Sequence, residues 1–230
     1  MGTSQFRYPT GARPLLIEET ARRRRIESRF VGMLEGAGFA EVVLPIIDFS
    51  EPYTAVTDRG AARHSYRFVD RDGELVTLRS DFTPMVARAL APAITASDLP
   101  LRVFYRGDVV RCESTRLGAN RELFQIGAEL IGDGSLDADR EVLRLVAAIA
   151  AEFIDAPVIV HTSKELADEF TYHEDAEESA GYYTGLRFWV YGANGRTQLA
   201  QGGRYDSLYG RFGTGAPAIG FTFTLDELED

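Results

Sequence analysis

Apolar residues recur along the chain with two periods, and the points where the period changes divide it into elements. In "RPLLIEETARRRRIESRFVGMLEGAGF", Ile26, Phe30 and Leu34 step by four along one face of a helix, which Gly36 and Gly38 stop. "EVVLPIIDF" reads as a strand. Pro45 inside it points to an edge or an interface, because proline cannot donate to a ladder. "SYRFVDRDGELVTLRS" predicts a hairpin turning at Asp72-Gly73. In "DFTPMVARALAPAIT", Asp81 or Thr83 caps a helix with Pro84 in its first turn.

Two long strands follow, "LRVFYRGDVVRCE" and "ELFQIGAELIG", joined by the polar loop "STRLGANR". "DADREVLRLVAAIAAEF" is an amphipathic helix with Val142, Leu145, Val146, Ile149 and Phe153 on one stripe. "PVIVHT" is a short strand, and the acidic "SKELADEFTYHEDAEESA" reads as a surface loop or short helix. Three strands close the chain, in "GYYTGLRFWVYG", "TQLAQ" and "AIGFTFT". Between the last two, "GGRYDSLYGRFG" opens on a Gly-Gly turn and is partly helical. No repeat or linker splits the 230 residues, so a single α+β domain over 1–230 with a large antiparallel sheet is expected.

Composition narrows the function classes. One cysteine, Cys112, excludes a disulfide framework and a thiolate zinc site within one chain. No run of 18 apolar residues and no apolar leader is visible, so a cytoplasmic protein without a membrane partner is expected. The net charge of −10 argues against a large nucleic-acid footprint. Arg22 to Arg25 form the one dense basic run. On a helix they point in four directions within reach of Glu18, Glu19 and Glu27, which reads as an ion-paired, solvated face. The three histidines, His64, His161 and His173, make no metal pattern, and no cofactor is expected.

Five stretches carry the polar residues that stand out. Asp81 and Thr83 lie at a strand-to-helix junction, and Arg106 and Arg111 lie on the first long strand. Gln125, Gly127 and Glu129 are spaced by two on one face of the second. Tyr182 and Tyr183, then Gly202, Gly203, Arg204 and Tyr205, complete the set. Singly, each has an ordinary account: a solvent-face carboxylate, a surface glutamine, core tyrosines with one wet end, or a Gly-Gly turn.

Together and in this order they resemble the catalytic domain of class II histidyl-tRNA synthetases and of their regulatory paralogues in histidine biosynthesis, over nearly the whole chain from about residue 8. "FAEVVLPIIDFSEPY" is similar to the first class II motif, with Pro45 at the dimer interface. "FYRGDVVRCESTRLGANRELFQIGAELIG" is similar to the second motif. "AQGGRYDSLYGRFG" and "GYYTG" resemble the histidyl-specific segments. The resemblance implies a class II synthetase-like fold, with a mostly antiparallel sheet of six to seven strands flanked by helices. It also implies a histidine site of Asp81, Thr83, Arg111, Gln125, Glu129, Tyr183, Gly202 and Tyr205. In it Asp81, Thr83 and Gln125 surround the α-amino group, Glu129, Tyr183 and Tyr205 surround the imidazole, and Arg111 matches a synthetase arginine that touches the ATP α-phosphate. No C-terminal anticodon-binding domain is expected, and the usual insertion is reduced to about residues 162–178.

Two positions depart from a synthetase. The arginine before the paired tyrosines falls on Glu178, and the arginine closing the third motif falls on Glu227. Both reverse charge where ATP is clamped, which implies no adenylation, because phosphoryl transition states are stabilised by cations. "RSDFTPMVARA" resembles the paralogue that accompanies short-form ATP phosphoribosyltransferase. That likeness implies a non-catalytic regulatory subunit, a homodimer joined to the short catalytic subunit in a hetero-octamer, with L-histidine as ligand and no tRNA. Two other readings stand beside it: a stand-alone histidine-activating enzyme, and an interaction module whose pocket is a relic.

Overall fold

A computed structural model describes residues 8–54, 56, 65–112, 120–173, 181–193 and 195–228. Helix α1 (Ile17–Gly36) buries Glu27, Phe30 and Leu34, and Gly38 follows at φ +82°, the left-handed turn that its lack of a Cβ permits. Strands β1 (Ala40–Glu41) and β2 (Ile47–Phe49) come next, then the short helix α2 (Glu51–Thr54). The hairpin of β3 (Arg67–Val69) and β4 (Leu75–Leu78) leads into α3 (Thr83–Leu90). The long strands are β5 (Leu101–Val110) and β6 (Glu122–Ile131), followed by α4 (Leu136–Phe153), whose first turn Ser135 caps by accepting the Ala138 amide at 3.2 Å. The remaining strands are β7 (Val158–His161), β8 (Thr171–Tyr172), β9 (Arg187–Tyr191), β10 (Gln198–Arg204) and β11 (Ala218–Thr224).

The main sheet has eight strands in the order β1-β5-β6-β11-β10-β9-β7-β8, antiparallel except where β1 meets β5 and β7 meets β8. This corrects the expected six to seven. The additional edge strands are two residues long, too short for any alternation to register in the sequence. A second correction concerns "EVVLPIIDF", which is not one strand. It leaves the main sheet after Glu41 and enters a separate three-stranded sheet, β2-β4-β3, at Ile47, with exposed Pro45 in the gap.

The main sheet is buried on both faces. Phe104, Ile126, Ala128, Leu130, Phe188, Ile219, Phe221 and Phe223 pack under α1 and α4, with Phe30, Leu34, Val142, Val146 and Ile149. The other face carries Val103, Tyr105, Tyr205 and Ala218 against α3, through Phe82, Val86 and Ala87. Alternation along each strand therefore sorts a core of aliphatic and phenylalanine side chains from a tyrosine-rich site.

The small sheet has two unlike faces. Asp48, Thr77 and Arg67 are direct cross-strand partners and line a cavity. In the next row Phe49, Val76 and Phe68 pair, and Phe49 and Phe68 remain exposed along with Val43, Ile46, Ile47, Val69 and Leu75.

The basic run is only partly the solvated face expected of it. Arg24 pairs with Glu27, but Arg23 turns inward and binds Asp226 at 2.7 Å. Asp226 also accepts the Phe124 amide at 2.9 Å, so this acid near the end of the chain ties α1 to β6. In the reduced insertion region, a 3-10 turn at Lys164–Leu166 buries Leu166 completely, and β8 adds an edge strand. Residues 174–178 of that region lie outside those described.

Candidate functional site

Asp81 and Thr83 stand where β4 gives way to α3. The Asp81 carboxylate accepts the Thr83 amide at 3.1 Å and the Tyr182 hydroxyl at 2.9 Å. Burial raises its pKa in spite of these bonds and of the Arg111 charge. The Thr83 hydroxyl donates to Glu129 at 2.9 Å, so two carboxylates are linked through one threonine. Glu129 is fully buried and held well above the usual carboxylate range, first by burial and then by the Asp81 charge.

Three tyrosine rings close around this pair. Tyr182 and Tyr183 lie 4.9 Å apart, and Tyr205 meets them at 5.7 and 6.2 Å. Behind them Tyr105 stacks on Phe82 at 4.3 Å and shares a hydrogen bond of 2.7 Å with Thr222.

These groups surround a cavity of about 240 Å³, below the roughly 300–1,000 Å³ usual for drug-sized ligands and suited to a small metabolite. Asp81, Thr83, Arg111, Gln125, Tyr183 and Tyr205 line it, six of the residues expected of the site. Glu129 does not reach the wall. It lies directly behind Thr83, Tyr205 and Gly220, since a Cβ built on Gly220 would meet its Oε2 at 1.7 Å. Gly202 is not on the wall either.

The Gly-Gly turn expected at 202–203 is instead the interior of β10, which extends to Arg204. Glycine is needed there because a Cβ on Gly202 would meet the Gly220 carbonyl oxygen at 2.3 Å and the Phe188 ring at 2.4 Å, while one on Gly203 would strike the Leu186 carbonyl oxygen and the Tyr183 ring. Gly202 thus serves sheet packing on the helix-covered face. Gly202→Ala is expected to lose about 1–3 kcal/mol or more of stability, read as a lower urea midpoint.

Arg204 shares that face and points away from the cavity. Its Nε donates to Asp139 at 2.9 Å, its Nη1 to the Asp133 carbonyl and to Asp206 at 3.1 Å each, and its Nη2 to the Ser135 carbonyl at 3.3 Å and to Asp139. It clamps the start of α4 to β10. Arg79 does similar work on the site face. It donates to the carbonyls of Asp108, Leu44 and Pro45 at 2.8–3.2 Å and stacks 4.0 Å over Phe82. Nothing in residue spacing marks either arginine as a clamp, because the backbone carbonyls both hold, and the Asp139 carboxylate that Arg204 also holds, are brought together only by the fold.

The two reversed-charge positions fare differently. Glu178 lies outside the described residues. Glu227 sits half-buried in the 3-10 turn Leu225–Leu228 that ends β11, away from the cavity wall. No cluster of three metal-ligating side chains occurs among the described residues, and none of their helices is long and apolar enough to cross a membrane.

Compared with known protein families, the chain matches histidyl-tRNA synthetase over residues 11–162 and 158–228. The chain belongs to the histidyl-tRNA synthetase family. Within this family it is similar to proteins of two names. An ATP phosphoribosyltransferase regulatory subunit of Moorella thermoacetica is 34% identical over 147 residues, 64% of this chain and 38% of that protein. A histidine–tRNA ligase of Methanosarcina acetivorans is 34% identical over 141 residues, 61% of this chain and 34% of that protein. The chain thus spans little more than a third of these relatives. The crystal structure of an ATP phosphoribosyltransferase regulatory subunit/histidyl-tRNA synthetase from Bacillus halodurans C superposes with a TM-score of 0.86 at 20% identity, over 99% of this chain and 83% of that one. The class II synthetase-like fold of the family, a large, mostly antiparallel sheet flanked by helices, is therefore the fold of this chain.

Proposed function

We propose that this chain is a non-catalytic regulatory subunit of ATP phosphoribosyltransferase. It binds and activates the short-form catalytic subunit in the first step of histidine biosynthesis and takes part in feedback inhibition by histidine. It acts in the cytoplasm as a homodimer within a hetero-octamer. The regulatory names among its relatives support this reading. The cavity supports it as well: Asp81, Thr83 and Gln125 suit an ammonium, Arg111 suits an oxyanion, and phenols with a carboxylate suit an imidazole N–H. Exposed Val43, Ile46, Ile47 and Phe49 flank Pro45 and support a dimer face there. Histidine would act by linkage, favouring the state of the assembly that binds it better.

The observation that carries the non-catalytic half is the charge at the end of β11. By the motif resemblance Glu227 falls at the position of a synthetase cation, and removing one transition-state contact of that kind costs about 3 kcal/mol. The net charge of −10 also disfavours tRNA. Mixing the purified chain with a short-form ATP phosphoribosyltransferase is expected to give a complex of hetero-octamer mass with raised activity that histidine lowers. No complex at micromolar concentrations overturns the reading.

The ligase names among the relatives favour a second reading, a histidine-activating enzyme. Pyrophosphate exchange separates the two. Robust histidine-dependent exchange establishes the second and removes the first.

A further inference from the structure

Two arginines reach the cavity wall from different elements. Arg67 lies on β3, Arg111 follows the end of β5, and both line the cavity. Ser65 faces Arg111 through a single antiparallel bridge, and Arg67 lies two residues further along the same extended segment. Alternation puts Ser65 and Arg67 on one face, so the arginines are diagonal neighbours, roughly 7–8 Å apart at the backbone and within reach of one guest. The segment is pinned at Tyr66. Its carbonyl accepts the Leu78 amide at 2.9 Å and the Thr77 hydroxyl at 3.2 Å, and its hydroxyl accepts from Arg121 at 2.9 Å. Two other charges on the wall are engaged elsewhere. Asp48 holds Arg88 and the Tyr53 hydroxyl, and Arg79 holds backbone carbonyls.

The arginine pair stands beside the acid read as the ammonium site. Ser65 shares a hydrogen bond of 2.9 Å with Ser80, the residue before Asp81, and the Arg111 charge favours the ionised form of Asp81. Two guanidinium forks alone would suit a carboxylate or a phosphate. A carboxylate acceptor next to them selects a zwitterion, in which an ammonium and a carboxylate leave the same carbon. That is a free α-amino acid.

We propose that Arg67 is a specificity-determining residue that clamps, together with Arg111, the α-carboxylate of the guest. The inference rests on the amino-acid reading of the cavity and adds a residue that neither periodicity nor motif singles out. Guests whose carboxylate is missing or blocked, such as the amine, an ester or an amide, lose the clamp and bind more weakly.

Arg67 is exposed, so Arg67→Gln removes its charge at little expected cost to folding. Calorimetric titrations of the whole chain compare L-histidine with histamine, which keeps the amine and the imidazole and lacks the carboxylate. Histamine is also read by competition against L-histidine. The wild type is expected to prefer L-histidine by about tenfold or more. The variant is expected to lose about five- to tenfold in affinity for L-histidine and less than about twofold for histamine. Equal losses for both ligands overturn the inference, since Arg67 then acts through the shape of the pocket and not on the carboxylate. Unchanged L-histidine affinity in the variant, or a wild type that binds both ligands alike, overturns it while leaving the histidine reading intact. A wild-type chain that binds neither ligand removes that reading and the inference with it.

Discussion

Replacing Arg204 by methionine is expected to cost about 3–5 kcal/mol of folding stability, the usual loss when one partner of a buried ion pair is removed. The guanidinium is nearly inaccessible, and so is Asp139, to which it donates through two nitrogens. Methionine fills a similar volume but leaves the Asp139 carboxylate without a counter-charge, and the carbonyls of Asp133 and Ser135 without their donor. Asp139 is already held above the ordinary carboxylate value by burial, against the pull of Arg204. Without that pull its folded-state pKa rises further, so the folded variant binds a proton that the unfolded chain releases. The deficit should therefore shrink as pH falls through that raised value. Urea unfolding at pH 7 and near pH 4 measures both effects, and Arg204→Met combined with Asp139→Leu should recover much of the loss. A single variant within about 1 kcal/mol of wild type at pH 7 would show that the clamp contributes little.

Glu129→Gln is expected to change how stability depends on pH. Burial and the neighbouring Asp81 raise the Glu129 pKa in the folded state. The unfolded chain loses that proton near pH 4.3 while the folded one keeps it. This part of the stability is complete below about pH 4 and is lost as pH rises through the folded-state value. Glutamine keeps the Thr83 bond and carries no charge, so its profile should be flatter. The variant should match the wild type near pH 4 and exceed it at pH 8, by up to several kcal/mol, the effective penalty of one buried ion. Parallel profiles from pH 4 to 8 would refute the buried-charge account.

Much of the architecture was legible because most elements are long enough to repeat their period. β5, β6, α1 and α4 announce themselves through the spacing of Val103, Phe104, Ile126, Leu130, Phe30 and Val146. Asp81, Thr83, Arg111, Gln125, Tyr183 and Tyr205 reach one cavity because strand alternation and the helix start fix their directions. What stayed hidden depends on long-range contact. Gly202 and Gly203 look like a turn until Phe188 and Tyr183 are seen filling the space their missing side chains leave. Asp226 looks like one more solvated acid until Arg23 and the Phe124 amide are found on it, more than 100 residues away. Glu129 shares a strand face with Gln125, yet lies one layer deeper because Thr83 and Tyr205 stand in front of it.

The three-stranded sheet separates the cavity from the exposed apolar face by the thickness of a single layer of backbone. Thr77 faces the cavity between Asp48 and Arg67, and the adjacent Val76, itself buried, sits between the exposed Phe49 and Phe68. Successive residues of one strand thus carry the two environments, joined by one peptide bond. Such a sheet has no independent sides: any change in its pleat or register would alter the cavity wall and the outer surface together, because alternate residues of the same strands face each.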